Sequence, residues 1–135
     1  MKDSHQRMKK DLIWNRVYAI SIVIIILAGS SVPGKNIPEV FSFTPDKLIH
    51  CLEYAVLGFF LFRWLRLEYV SNTLSRISST TFILGSLIGA LDENYQRLIP
   101  GRSPDFWDWV LDSIGVLLSV LFLNYLGIRK PREGK

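Results

Sequence analysis

Apolar residues in this chain gather into four long blocks instead of lining one face of amphipathic segments. Residues 14–32 surround an apolar core at 17–29, and residues 48–65 are rich in Leu and Phe. Residues 77–95 are weaker, with a core at 80–91, while residues 106–126 are long and clean. A helix crosses ~30 Å of hydrocarbon with about 20 residues, and each block is close to that length. In lipid the backbone must satisfy its own hydrogen bonds, so the blocks are expected to be helices. A soluble bundle would need a polar face along each helix, and residues 22–27 and 117–123 offer none. The expectation is an all-α polytopic membrane protein, a four-transmembrane-helix bundle. Residues 1–13 would form a basic N-terminal segment, 14–127 the membrane domain and 128–135 a basic tail. The alternative for the first block is a cleaved leader, because it follows the basic stretch 9–16 and ends in the small residues 28–31; three spans would then remain.

Charge supplies the orientation. Five basic residues precede or open the first span (Lys2, Arg7, Lys9, Lys10, Arg16), three lie between spans two and three (Arg63, Arg66, Arg76), and four lie in the tail (Arg129, Lys130, Arg132, Lys135). The two other connections carry only Lys35 with Lys47, and Arg97 with Arg102. That is twelve against four, and it places both termini in the cytoplasm. The expected location is therefore the cytoplasmic (inner) membrane, crossed several times, with the bilayer as a partner. The 135 residues allow one domain at most. A composition 49% hydrophobic and 21% charged excludes a disordered chain. The formal net charge of +4 comes from the two ends, so nucleic acid is not an expected partner. One cysteine, Cys51, excludes an intramolecular disulfide and any multi-thiol metal site.

The polar residues inside the blocks are the unusual feature. The second span opens with Thr44-Pro45-Asp46 and the fourth with Ser103-Pro104-Asp105, each a capping pattern. Asp46 and Asp105 therefore read as caps more than as catalysts. The preceding turns match as well, Val32-Pro33-Gly34-Lys35 and Ile99-Pro100-Gly101-Arg102. Seven residues after each Asp stands another carboxylate, Glu53 or Asp112. Two hairpins of related design would follow, a degenerate parallel repeat with Glu53 and Asp112 at equal depth. Helical spacing puts Asp46, His50, Glu53 and Tyr54 on one face, and Asp105, Asp108 and Asp112 on another. On the third span Gly85, Gly89, Glu93 and Gln96 share a face, with Asp92 and Gln96 at i, i+4. At ~1.5 Å per residue, His50 lies roughly 7 Å and Glu53 about 12 Å inside its helix.

Ionisable groups at such depths cost ~2.5–3.5 kcal/mol each, so they face the bundle interior and pair. The economical arrangement gathers His50, Glu53, Glu93, Gln96, Asp108 and Asp112 in one outward-facing pocket, with Arg102 and Arg97 at its mouth. Gly85, Gly89 and Gly115 would permit close helix contact beneath it, or Gly85 and Gly89 could serve an oligomer. Arg63 and Arg66 read as anchors that snorkel. Trp107, Trp109, Tyr95 and Phe106 read as an aromatic belt, with Trp14 and Tyr18 as its counterpart inside. A structural hydrogen bond between His50 and Glu53 is the plain alternative for that pair.

On these residues the chain resembles the VanZ-like family of small bacterial membrane proteins. Three pieces carry the resemblance, in order: Asp46-Lys47-x2-His50-x2-Glu53-Tyr54-x2-Leu57-Gly58, then Asp92-Glu93-x2-Gln96-x3-Pro100-Gly101-Arg102, then Asp108-x3-Asp112-x2-Gly115. They cover residues 46 to about 119. Two positions depart from the family pattern, Asp112 where Asn is frequent and Ser119 where a second small Gly is common. The resemblance implies a polytopic cell-envelope protein and, through the member that names the family, a link to resistance against the glycopeptide teicoplanin.

Three functions compete on this reading. An enzyme would act on a lipid-linked envelope precursor or phospholipid headgroup at the outer leaflet. His50, Glu53, Glu93, Asp108 and Asp112 would be its catalytic candidates, and Asp92, Gln96, Arg97, Arg102 and Tyr54 would bind substrate. Arg102 would hold a phosphate or carboxylate, His50 would act as general acid or base, and water would be the nucleophile. Glu93, Asp108 and Asp112 with His50 have the chemistry to hold a divalent metal. No metal-ligand signature is present, however, and no cofactor is expected. The second function is a non-catalytic protein that binds or masks the same headgroup. The third is proton-coupled transport, disfavoured because the inner half of the bundle is nearly bare of polar residues. No Gly-rich phosphate loop is present to suggest a nucleotide.

Overall fold

The computed structural model describes residues 2–34 and 45–127, with side chains described from Ser4 and, after the gap, from Lys47. Lys35, the Thr44 cap, the side chain of Asp46 and the basic tail fall outside the described residues. The described chain is four helices: α1 (Lys2–Ser30), α2 (Pro45–Glu68), α3 (Leu74–Gln96) and α4 (Phe106–Tyr125). All four are long and apolar enough to cross a membrane. The first helix starts well before its apolar block. Its 29 residues span roughly 44 Å, more than the ~30 Å of hydrocarbon, which leaves the basic N-terminal turns outside the apolar layer.

Caps and turns explain where the other helices begin and end. Thr73 caps α3 by accepting from the Arg76 amide at 3.3 Å. The fourth helix starts two residues later than the Ser103-Pro104-Asp105 pattern suggests. Asp105 is its N-cap, in extended backbone, with the side chain accepting from the Trp107 amide at 2.9 Å. The reason is tertiary, because the Asp105 amide points away from the helix and donates to Glu93 Oε2 at 3.0 Å. Residues 99–102 close a turn through Arg102 N–H to Ile99 carbonyl, 3.1 Å, with Gly101 at φ 77°. Pro at the second and Gly at the third position are what such a turn requires. The matching Pro33-Gly34 packs directly on it: Gly34 donates to the Pro100 carbonyl at 3.2 Å, and a Cβ on Gly34 would fall 1.8 Å from the Gly101 oxygen.

α2 and α4 form the central pair, with α1 against α2 and α3 against α4. The central pair runs in the same sense, since His50 faces Asp112, Cys51 faces Gly115 and Ala55 faces Ser119 in turn. Gly115 sets the closest approach, its absent Cβ being only 2.2 Å from the Cys51 carbonyl oxygen. Ser119 Oγ donates to the Ala55 carbonyl, an interhelical bond between the central helices. Gly85 lies against the Val116 side chain and Gly89 against Asp112 and Trp109, so both glycines serve packing within the chain.

Two small apolar clusters fill the interior. Tyr54, Leu57, Val116 and Ile26 form one, and Leu61, Phe62, Leu65, Ile77, Val120 and Leu123 form the other. Much of the apolar surface remains on the outside, including Ile24, Ile25, Leu52, Leu91, Leu121 and Phe122. Large apolar faces of this kind are what lipid covers. At the end away from the Gly34–Gly101 contact, Arg16 pairs with Glu68 and lies over the Trp64 ring, and Arg63 donates to Asn15 at 2.9 Å. Arg66, read from sequence as a snorkelling anchor, is instead buried and donates to the Asn72 carbonyl at 3.4 Å. The turn after α2 folds back over it and supplies the acceptor.

Candidate functional site: a buried polar cluster

The site is assembled at the end of the bundle where the Pro-Gly turns meet. From α2 comes His50, one turn beyond Lys47 on the same face. From α3 come Asp92, Glu93 and Gln96, and from α4 Asp112. His50 Nδ1 lies 3.3 Å from Asp112 Oδ1, and both residues are buried. Ligand atoms of His50, Glu93 and Asp112 all lie within 4.8 Å of one another, the group of this kind among the described residues. Three helices contribute one donor each.

A second layer holds these groups. Glu93 accepts from the Asp105 amide at 3.0 Å and from Gln96 Nε2 at 3.3 Å. Asp92, fully buried, accepts from Ser30 Oγ at 2.7 Å and from Gln96 at 3.5 Å, which ties the end of α1 to α3. Gly89 makes room for Asp112, since a Cβ there would stand 3.1 Å from its Cβ and from Oδ2. Three groups in the cluster stay incompletely satisfied. Tyr54 Oη, Asp92 Oδ1 and Asp112 Oδ2 are buried with no hydrogen-bond partner. Buried polar atoms are nearly always paired, so these three stand out.

The remaining expected residues fall around the cluster or away from it. Asp108 is bound by Lys47, whose Nζ reaches Asp108 at 2.7 Å and Asp105 at 2.8 Å. The Lys47 ammonium, followed by the Trp107 amide, holds the Asp105 carboxyl below the usual carboxylate range, so it stays ionised as cap and counter-ion together. Arg102 Nε and Nη2 donate at 3.1 Å to the carbonyls of Val32 and Gly29, where they close the C-terminal turn of α1. Arg97 is exposed at the C-cap of α3. Glu53 is half-buried on α2, one turn past His50.

That last position corrects the expected repeat. Facing residues on α2 and α4 are 62 to 64 apart in sequence (His50–Asp112, Cys51–Gly115, Ala55–Ser119), whereas the matched carboxylates Glu53 and Asp112 are 59 apart. The two motifs are thus about one turn out of step, and Asp112 meets His50 instead of standing level with Glu53. Close packing of Gly115 on the α2 backbone sets this register.

Sequence reasoning passed over two participants, Lys47 and Ser30. Lys47 had a signal, a lone cation one turn before His50 among several carboxylates. Ser30 had none, since nothing in the first block marks which serine will meet a carboxylate 62 residues on.

Comparison with known families now adds to the geometry. A family model described as VanZ/LLP1 matches residues 15–127, from within α1 to the end of α4. The chain belongs to the VanZ-like family. No curated protein and no solved structure matches it. The match takes in α1 as well as the three motif-bearing helices, in keeping with a first helix that is part of the packed bundle. In this VanZ-like chain Asp112 is the residue that pairs with His50.

Proposed function

We propose that this VanZ-like membrane protein takes the polar headgroup of a lipid-linked envelope component into the buried cluster, at the non-cytoplasmic side of the cytoplasmic membrane. One observation carries the reading: Tyr54 Oη, Asp92 Oδ1 and Asp112 Oδ2 are buried together without hydrogen-bond partners. Orphaned polar atoms inside a membrane bundle are costly, and a ligand that supplies donors would satisfy them. The cluster is dominated by carboxylate acceptors, while Arg102 is engaged with α1 carbonyls. A headgroup rich in hydroxyl or amino donors therefore fits better than a bare phosphate. The loop charges favour the side assigned here.

His50 and Asp112 meet at 3.3 Å, residue types that serve either general acid–base catalysis or metal-assisted chemistry, so the bound headgroup would also be the reactant. Transport is the weaker reading, because the apolar cluster of Leu61, Phe62, Leu65, Ile77, Val120 and Leu123 fills the other half of the bundle.

The test is lipid retention. Protein purified from envelope membranes into nanodiscs should carry a donor-rich lipid detectable by mass, and Asp92→Asn and Asp112→Asn should reduce its recovery several-fold. Equal recovery in wild type and both variants would remove the headgroup role. A mass change in that lipid during incubation, absent in His50→Ala, marks catalysis; an unaltered lipid marks binding or masking. The family link to glycopeptide resistance is read alongside as teicoplanin tolerance in a susceptible host that expresses wild type or Asp112→Asn.

A further inference from the structure

We infer that His50, Glu93 and Asp112 form a binding site for one divalent first-row metal ion. The inference deepens the reading of this cluster as the functional site, and it stands on the donor geometry together with the unpaired groups beside it.

Three observations converge. The donor atoms come from three helices and lie within 4.8 Å of one another, a separation that a small inward movement converts into shared coordination at ~2.0–2.2 Å per ligand. The donor set, one imidazole nitrogen and two carboxylates, suits zinc and its first-row neighbours. Asp112 is 0% exposed; its Oδ1 faces His50 Nδ1 at 3.3 Å, and its Oδ2 has no hydrogen-bond partner. A buried carboxylate with one oxygen unpaired is expensive, and a divalent ion placed between it and Glu93 offsets the cost.

The surroundings behave as a metal's outer shell does. Glu93 is held by the Gln96 amide and by the Asp105 backbone. Bonds of this kind orient a ligating carboxylate while leaving lone pairs for the ion. Gly89 leaves the space in which the Asp112 carboxylate turns. Three protein ligands leave at least one position open, the pattern of sites that bind an exchangeable water or substrate oxygen. Tyr54 Oη, buried, unpaired and within the field of Asp112, Asp92 and Glu93, is the polar group beside it. Asp108, the carboxylate that helical spacing would add to the set, is held by Lys47 and stands outside it. An ion here would also let the acceptor-rich cluster hold an oxygen of a phosphate or sugar without help from Arg102.

The test uses Co2+ alone, with no lipid added. Detergent-purified full-length protein should bind one Co2+ per chain with d–d absorption bands, reversed by EDTA. Glu93→Gln, Asp112→Asn and His50→Gln should each weaken binding at least about tenfold, while Asp108→Asn should leave it within about threefold. Absence of saturable binding in the wild type overturns the inference, and so does unchanged affinity in the three ligand variants. Should those variants not fold, X-ray absorption of the Zn2+-loaded wild type decides: one imidazole among oxygen ligands supports the site, and an all-oxygen shell overturns it. The two readings fail separately. Metal binding without lipid retention removes the headgroup role alone, and lipid retention indifferent to EDTA with no Co2+ bound removes the metal alone.

Discussion

Gly115 carries no side chain because α2 leaves no space for one: a Cβ would lie 2.2 Å from the Cys51 carbonyl oxygen and 2.9 Å from the Ala55 amide. Backbone atoms cannot turn aside as a flexible side chain can, so Gly115→Ala has to push the central helices apart. The expected cost is about 1–3 kcal/mol, seen as a lower melting temperature in detergent and as loss of the Ser119–Ala55 bond. Gly29→Ala is the matched control, since nothing lies within 4 Å of its Cβ position in α1. It should be neutral or stabilise by up to about 1 kcal/mol through helix propensity. Equal destabilisation by the two changes would contradict the packing described. Small residues on the motif-bearing faces are legible in the sequence as packing positions. Which backbone each one touches is not, because that depends on the register between two helices distant in sequence.

Among the helices, α1 owes its place to polar bonds at its C-terminal end as well as to Ala19 and Ile26 in the interior. Ser30 reaches Asp92, Ser31 meets the Tyr95 hydroxyl at 2.9 Å, and Arg102 donates to the Gly29 carbonyl in the last turn and to the Val32 carbonyl just beyond it. Hydrogen bonds involving charged groups contribute ~1.5–3 kcal/mol. Arg102→Ala and Ser30→Ala should therefore each raise amide exchange in the last two turns of α1, about tenfold or more, while α4 exchange changes little. Exchange unchanged in both variants would show that α1 is held by its apolar face alone. The α1 sequence announces a membrane span with a small-residue end, a pattern that a cleaved leader shares. The bonds from this end of α1 to residues 92, 95 and 102 belong to the packed structure and have no signal in the α1 sequence. Arg102 makes the same point: its chemistry suits an anion, yet the carbonyls of α1 lie within reach and take its donors.

For the molecule as a whole, four helices are long and apolar enough to cross a membrane, and we propose from the twelve-to-four distribution of Lys and Arg that both termini lie on the cytoplasmic side. Cysteines introduced by Ser103→Cys and Gly134→Cys in a Cys51→Ser background should test this in spheroplasts. A membrane-impermeant maleimide should label the first and reach the second only after permeabilisation. The reverse pattern would turn the bundle over and place the polar cluster at the cytoplasmic side.

The number of helices, their span of the bilayer and the residue types collected near one end follow from the chain read in order. Hydrocarbon imposes the same demands on any segment of about 20 apolar residues, and those demands are local. The choice of His50, Glu93 and Asp112 as mutual neighbours, with Asp108 held by Lys47 and Glu53 displaced by one turn, belongs to the folded molecule. It depends on how far α4 slides along α2 before Gly115 meets the Cys51 carbonyl, and a slide of one turn exchanges every partner across that interface. Spacing along a single helix carries no record of that distance, because the atoms that stop the slide belong to a different helix.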